Sequence, residues 1–133
     1  MFKALQTSVS GLIASSTRLN VAASNIVNAR VASSPKGTTG PRQTFRAGYS
    51  PQRVAQTTTA GGGVRATGAP VSPASLSVYD PTSPFANEQG AVDMPNVSLP
   101  VEISELRRAR HAYEANAKVI KTLDDTFKTL LKI

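Results

Sequence analysis

The side chains that carry most enzyme chemistry are sparse in this 133-residue chain. His111 is its one histidine, and it has no cysteine. A zinc or thiolate site would therefore lack a second ligand of the right type. Asp124 and Asp125 are adjacent. Neighbouring side chains on a helix diverge by about 100°, a poor geometry for an acid/base pair. Gly61-Gly62-Gly63 is not a phosphate loop, because no helix follows it and no spaced Gly, Lys and Ser/Thr complete the motif. No Ser or Thr stands in a motif that marks a nucleophile. The expectation is a protein that is not an enzyme and takes no cofactor or metal. His111 then reads as a surface or interface histidine, and the acidic pair as solvated charge.

One other constellation has chemical content. Arg42, Arg46, Arg53 and Arg65 are interleaved with Phe45 and Tyr49, the residue types of a stacking surface for nucleic acid. These cations are spread along the chain, and no helix-turn-helix, zinc finger or aromatic RNA motif accompanies them. The preferred reading is a basic loop region that faces an acidic partner or a sister subunit. A small basic nucleic-acid-binding protein is kept as an alternative.

Two terminal elements must position whatever the middle does. In Val101 to Ile133, one stripe runs Ile103, Leu106, Tyr113, Ala117, Ile120, Phe127, Leu131, and a second runs Ala109, Ala112, Val119, Leu123, Leu130. Steps of three and four place residues on one side of an α-helix. Arg107, Arg108, Lys118, Lys121 and Lys128 fall mostly outside these stripes. No Gly or Pro follows Pro100, which predicts a single helix of roughly 45 Å. Pro100 suits its first turn, and Glu102 and Glu105 suit its positive end. At the other terminus, Phe2, Leu5, Val9, Leu12, Leu19 and Ile26 alternate by threes and fours, with Ser16 and Ala23 at the remaining seam positions. That is a coiled-coil pattern over almost four heptads. Gly11 and the many Ser, Thr and Asn residues weaken it by up to about 1 kcal/mol each. Residues 1 to about 28 are thus expected to be helical when packed and frayed when alone.

The middle carries almost all of the nine glycines and nine prolines and is too small to build a large core by itself. Ala29 to Arg42 reads as a loop with a turn near Pro35-Lys36-Gly37. Thr44–Tyr49, Gln52–Thr58, Val64–Thr67 and Ser75–Tyr79 are candidate strands, with a hairpin turn or flexible loop at the three glycines. Asp80 to Pro95 reads as extended, with turns near Asp80-Pro81 and Asn87-Glu88. The net charge of +7 is uneven: residues 31–79 hold five cations and no acid, and residues 80–102 hold four acids and no cation. No apolar run approaches the roughly 18 residues of a membrane span, and the N-terminus lacks the continuous apolar core of a secretory leader.

Four stretches carry a resemblance. Phe2-Lys3-Ala4-Leu5 with Ser10-Gly11-Leu12 is similar to the opening of flagellar rod and hook proteins. Ala23-Ser24-Asn25-Ile26-Val27-Asn28 resembles the Asn-rich end of their first helix. Val78-Tyr79-Asp80-Pro81, with Pro84, Gly90, Val92 and Pro95-Asn96-Val97, resembles a segment typical of the proximal-rod family. Ala112-Tyr113-Glu114-Ala115-Asn116 resembles its C-terminal signature. The chain is thus identified as similar to the bacterial flagellar basal-body rod proteins, over most of its length outside about residues 29–60. It departs from them at Ala29–Ser34, in place of the usual Thr, Gly and aromatic-Lys pair, and at His111, where the family usually has Arg.

The resemblance implies a mainly α fold with a small β part. Long N- and C-terminal helices pair as an antiparallel coiled coil, with a short-stranded, loop-rich middle. The division expected is residues 1–30, 31–100 and 101–133. It implies a structural subunit of the proximal rod, the drive shaft of the basal body, which polymerises into a hollow helical tube and transmits torque from rotor to hook. Its partners would be copies of itself, other rod proteins and, during secretion, the flagellar type III export apparatus. Nucleic acid and membrane insertion are not expected. The location implied is the rod in the periplasmic space, reached without a cleaved signal peptide. The expected subunit interface comprises Leu5, Val9, Leu12, Leu19, Asn25, Ile26 and Asn28 on the first helix. On the second it comprises Leu106, Tyr113, Asn116, Ile120 and Phe127. A helical adaptor or scaffold component of another secretion assembly is the further alternative.

Overall fold

The computed structural model describes residues 2–36 and 47–132. Its elements run α1 (Phe2–Asn28), β1 (Gln52–Thr58), β2 (Val64–Pro70), β3 (Ser75–Tyr79), β4 (Ala91–Pro95) and α2 (Leu99–Leu130). The fold is mainly helical, with long helices at the two ends and small antiparallel sheets between them.

α2 starts two residues before the expected Val101, with Ser98 extended at the cap position and Pro100 in the first turn. Proline fits there because that turn's N–H groups have no helical partner. Glu102 in the first turn and Lys128 in the last complement the helix dipole. Arg110–Glu114 at 2.8 Å and Lys128–Asp124 at 2.5 Å bridge successive turns on the exposed side. Arg110 and Asp124 are both solvent-exposed, and Asp124 is solvated charge as expected.

α1 has no acidic residue in its first turn and no basic residue in its last, so its ends lack the charges that would favour an isolated helix. Several of its hydroxyls turn back on the helix: Thr7 donates to the Lys3 carbonyl and Thr17 to the Ile13 carbonyl. Its helicity therefore depends on packing on both sides. α2 lies along one side of it, and the β1–β2 ribbon lies on another.

β1 and β2 pair antiparallel, from Gln52 opposite Pro70 to Thr58 opposite Val64. β2 runs three residues past the expected Thr67. The connecting turn places Gly62 and Gly63 at φ of 81° and 115°, a region side chains avoid. β3 pairs antiparallel with β4, where the sequence predicts extended chain without a strand. The loop between them closes where the Asp80 N–H donates to the Gly90 carbonyl at 2.8 Å. Ser33 exchanges backbone bonds of 2.9 and 3.0 Å with Asp93, which ties the segment after α1 to β4. Of the strand expected at Thr44–Tyr49, residues 44–46 lie outside the described residues and 47–49 are not in a strand. Arg42, Phe45 and Arg46 also lie outside them.

The core is thin. The largest fully buried side chains are Val92, Asn25 and Pro51, and the buried apolar residues of the two helices are Ala14, Ala22 and Ala109. Among the described residues, no helix is long and apolar enough to cross a membrane.

Candidate subunit interface

The helices pack antiparallel. Phe2 stands beside Phe127, with ring centroids 6.3 Å apart. Gly11 meets Asn116, Arg18 binds Glu105, and Asn25 binds Glu102. On α1, Ser8, Gly11, Ser15, Arg18, Ala22 and Asn25 form a three-four alternation of small and polar residues that are buried or meet α2, and Ala14 beside them is buried too. This stripe is one residue N-terminal of the seam expected from the large apolar residues. On α2, Glu102, Glu105 and Asn116 are half-buried beside Ala109 and Ala112 of the expected second stripe, while Ile103 and Tyr113 of the first are exposed. The physical reason is close approach: small residues let the two backbones come together, and Gly11 leaves the notch that the Asn116 amide fills.

The consequence is that larger apolar side chains stay at the surface. Val9 is 41% exposed, Ile103 45%, Tyr113 42% and Val119 45%. At the open end of the pair, Leu5, Ala117, Ile120, Leu123 and Phe127 line an apolar groove. Of the expected interface residues, Leu12, Leu19, Ile26, Leu106, Ile120 and Phe127 are half-buried, as is Leu5. Asn28 is half-buried and spends its amide on the Ser24 carbonyl. Tyr113 is not the seam residue between Leu106 and Ile120 that the spacing predicts, and its hydroxyl has no hydrogen bond among the described residues. Asn25 does not approach it, because antiparallel packing puts Asn25 beside Glu102. His111 projects into solvent with its side chain 80% exposed.

Asn25 is the polar centre of the fold. Its Nδ2 donates to the Gln52 carbonyl at 2.7 Å and to Glu102 Oε1 at 3.0 Å. Its Oδ1 accepts from the Tyr49 hydroxyl at 2.8 Å and from the Gln52 N–H at 3.2 Å. A buried amide that uses both donors and both lone pairs has no unmet need. One side chain thereby joins the end of α1, the entry to β1 and the first turn of α2. Burial pushes the Glu102 carboxyl above its ordinary value, against the lowering effect of its bond from Asn25, and nearby Glu105 adds to the rise. Asn25 is among the residues expected from the sequence; its partners Tyr49, Gln52 and Glu102 are not. Only the Asn followed by a polar, Pro-bounded return segment hints at the arrangement.

Residues 5–31 match the family model described as flagella basal body rod protein, and residues 88–133 match that of the flagellar basal body rod FlgEFG protein C-terminal. The two matches cover the two helices and β4. The flagellar basal-body rod protein FlgC of Escherichia coli O6:H1 is 39% identical over 116 residues, covering 86% of this chain and 83% of that protein. The chain belongs to the FlgC family of flagellar basal-body rod proteins. The FlgC of Salmonella typhimurium LT2 is likewise 39% identical over 86% of this chain and 83% of its own length. That of Borreliella burgdorferi is 29% identical over 100% of this chain and 97% of its own. These relatives are structural rod proteins and not enzymes, and the adaptor and nucleic-acid alternatives are not favoured.

Proposed function

We propose that this chain is a structural subunit of the proximal rod of the bacterial flagellar basal body, assembling through its helix pair with other rod subunits. The single observation that carries the reading is the apolar surface at Val9, Ile103, Tyr113 and Val119, left over by a pair whose own contact uses small and polar residues. Family membership supplies the assembly that covers such a surface. In this reading residues 1–30 and 101–133 form a coiled coil in the wall of a hollow helical tube, and residues 31–100 form its outer part. The interface includes Val9, Leu12, Leu19, Tyr113 and Ile120. Heterologous contacts repeat along the tube axis, and the tube carries torque from rotor to hook.

The partners are copies of this chain and other rod proteins. The chain reaches the periplasmic part of the basal body through the flagellar type III apparatus. Its weak first helix and lack of cysteine suit unfolding and passage between redox compartments. The test is a deletion strain. Without this chain, isolated basal bodies should end at the inner-membrane ring, and the plasmid-borne chain should restore the rod and swimming. Full rods in the deletion strain contradict the reading.

A further inference from the structure

The unevenness of charge in the middle of the chain survives folding. Among the described residues, Arg53, Arg65, Asp80 and Glu88 take part in no salt bridge: the ion pairs lie on and between the helices. The register Arg53 opposite Ala69 and Thr57 opposite Arg65 puts both arginines on one face of the β1–β2 ribbon, since residues two apart share a side. The other face carries the half-buried Val54, Val64 and Ala66, and the ribbon is tied to α1 where the Val64 N–H donates to Ser10 Oγ at 3.1 Å. The arginine face is the opposite one. Both arginines on it are exposed, and small Ala and Thr side chains lie between them.

The opposite charge sits on the β3–β4 loop. Glu88 is exposed, and Asp80 spends one oxygen, Oδ1, on Thr82, which leaves the other for a partner. Tyr79 stands beside them, 75% exposed. A Cβ at Gly90 would lie 2.8 Å from the Tyr79 ring and 3.1 Å from Pro81, so the ring rests on that turn and presents its other face outward. A fixed, exposed ring next to carboxylates suits a guanidinium, which is drawn to both.

We propose that the arginine face of the β1–β2 ribbon docks on the β3–β4 loop of a second copy of this chain. Arg53 and Arg65 of one copy meet Asp80, Glu88 and Tyr79 of the next. Two different surfaces meet, so the contact is heterologous and passes from copy to copy. It rests on the rod reading above, and it adds a contact outside the helices. The pairing acts mainly on register and choice of neighbour, because exposed charge pairs add little stability.

Disulfide trapping tests it, since the chain has no cysteine of its own. Thr67→Cys lies on the arginine face, and Gln89→Cys lies beside Glu88. In oxidised basal bodies from a deletion strain, the chain carrying both should give dimers and higher species, and each single variant should give none. Monomer alone, from rods that contain the double variant in normal amount, overturns the proposal and leaves the rod reading intact. Dimers of a single variant mean that like surfaces meet, and a different rod protein trapped on Thr67→Cys means another occupant; either result overturns it. Absence of the wild-type chain from basal bodies overturns the rod reading first. Arg65→Glu should lower the cross-linked fraction about tenfold, since it replaces attraction with repulsion, and adding Glu88→Arg should restore it. A fraction unchanged by Arg65→Glu contradicts the charge pairing.

Discussion

Gly11 of α1 is the notch that admits Asn116 of α2: a Cβ at Gly11 would lie 2.7 Å from Asn116 Nδ2 and 2.9 Å from its Cγ. The Asn116 amide is also held from its own side, where Nδ2 donates to the Ala112 carbonyl at 2.9 Å. Glycine costs α1 about 1 kcal/mol of helix propensity against alanine, and the fold accepts that cost for close packing. Gly11→Ala should therefore destabilise the chain by about 1 kcal/mol, as overpacking outweighs the gain in propensity. With Asn116→Ala already present, the same substitution should stabilise it. A thermal-unfolding double-mutant cycle reads the change of sign.

Asn25 makes a second prediction. Asn25→Ala would strip partners from the Gln52 N–H and carbonyl and from Glu102, and leave the Tyr49 hydroxyl only Ser24 Oγ at 3.0 Å. Buried groups left unpaired cost about 1–3 kcal/mol each, partly relieved by water, so a loss of about 3 kcal/mol is expected in denaturant unfolding. Tyr49→Phe should cost about 1 kcal/mol, because the other three bonds remain.

These two sites also show what was legible in the sequence. The extents of both helices, and of β1 and β3, follow from periodicity and from the Pro and Gly residues that bound them. β4 was missed because Asp93 and Pro95 interrupt an apolar alternation that only its pairing with β3 makes sense of. On α1 the closest contacts fall one residue from the large apolar stripe: Leu12 and similar residues dominate any hydrophobic pattern, whereas Ser8, Gly11 and Ser15 govern how closely two backbones approach. Tyr113 at the surface is the direct consequence. Asn25 was recognisable by type, but its partners lie 24 to 77 residues away, beyond any local pattern.

Glu102 gives a pH dependence. Its carboxyl is raised in the folded chain, chiefly by burial. The folded state then holds the proton more tightly than the unfolded state does. Its contribution to stability is most favourable below the unfolded value and is lost as pH rises through the folded one. Glu102→Gln keeps an oxygen for Asn25 without the charge. The variant's melting temperature relative to wild type should be higher at about pH 7 than at about pH 3, well below the ordinary carboxyl value, where Glu102 is mostly protonated. A difference that is constant across this range would place the cause of any stability change elsewhere.

Assembly is where the exposed stripe should matter. Tyr113→Asp changes a residue that is 42% exposed, so the stability of the isolated chain should move by no more than about 1 kcal/mol. In an assembled wall the same charge would be buried without a partner, which costs several kcal/mol. The decisive measurement is the amount of this chain in basal bodies isolated from a deletion strain that supplies Tyr113→Asp, compared with the amount the cells export. The account predicts a folded, exported chain that is missing from basal bodies, which then lack a rod. Normal rods containing Tyr113→Asp in normal amount, in cells that swim, would contradict it.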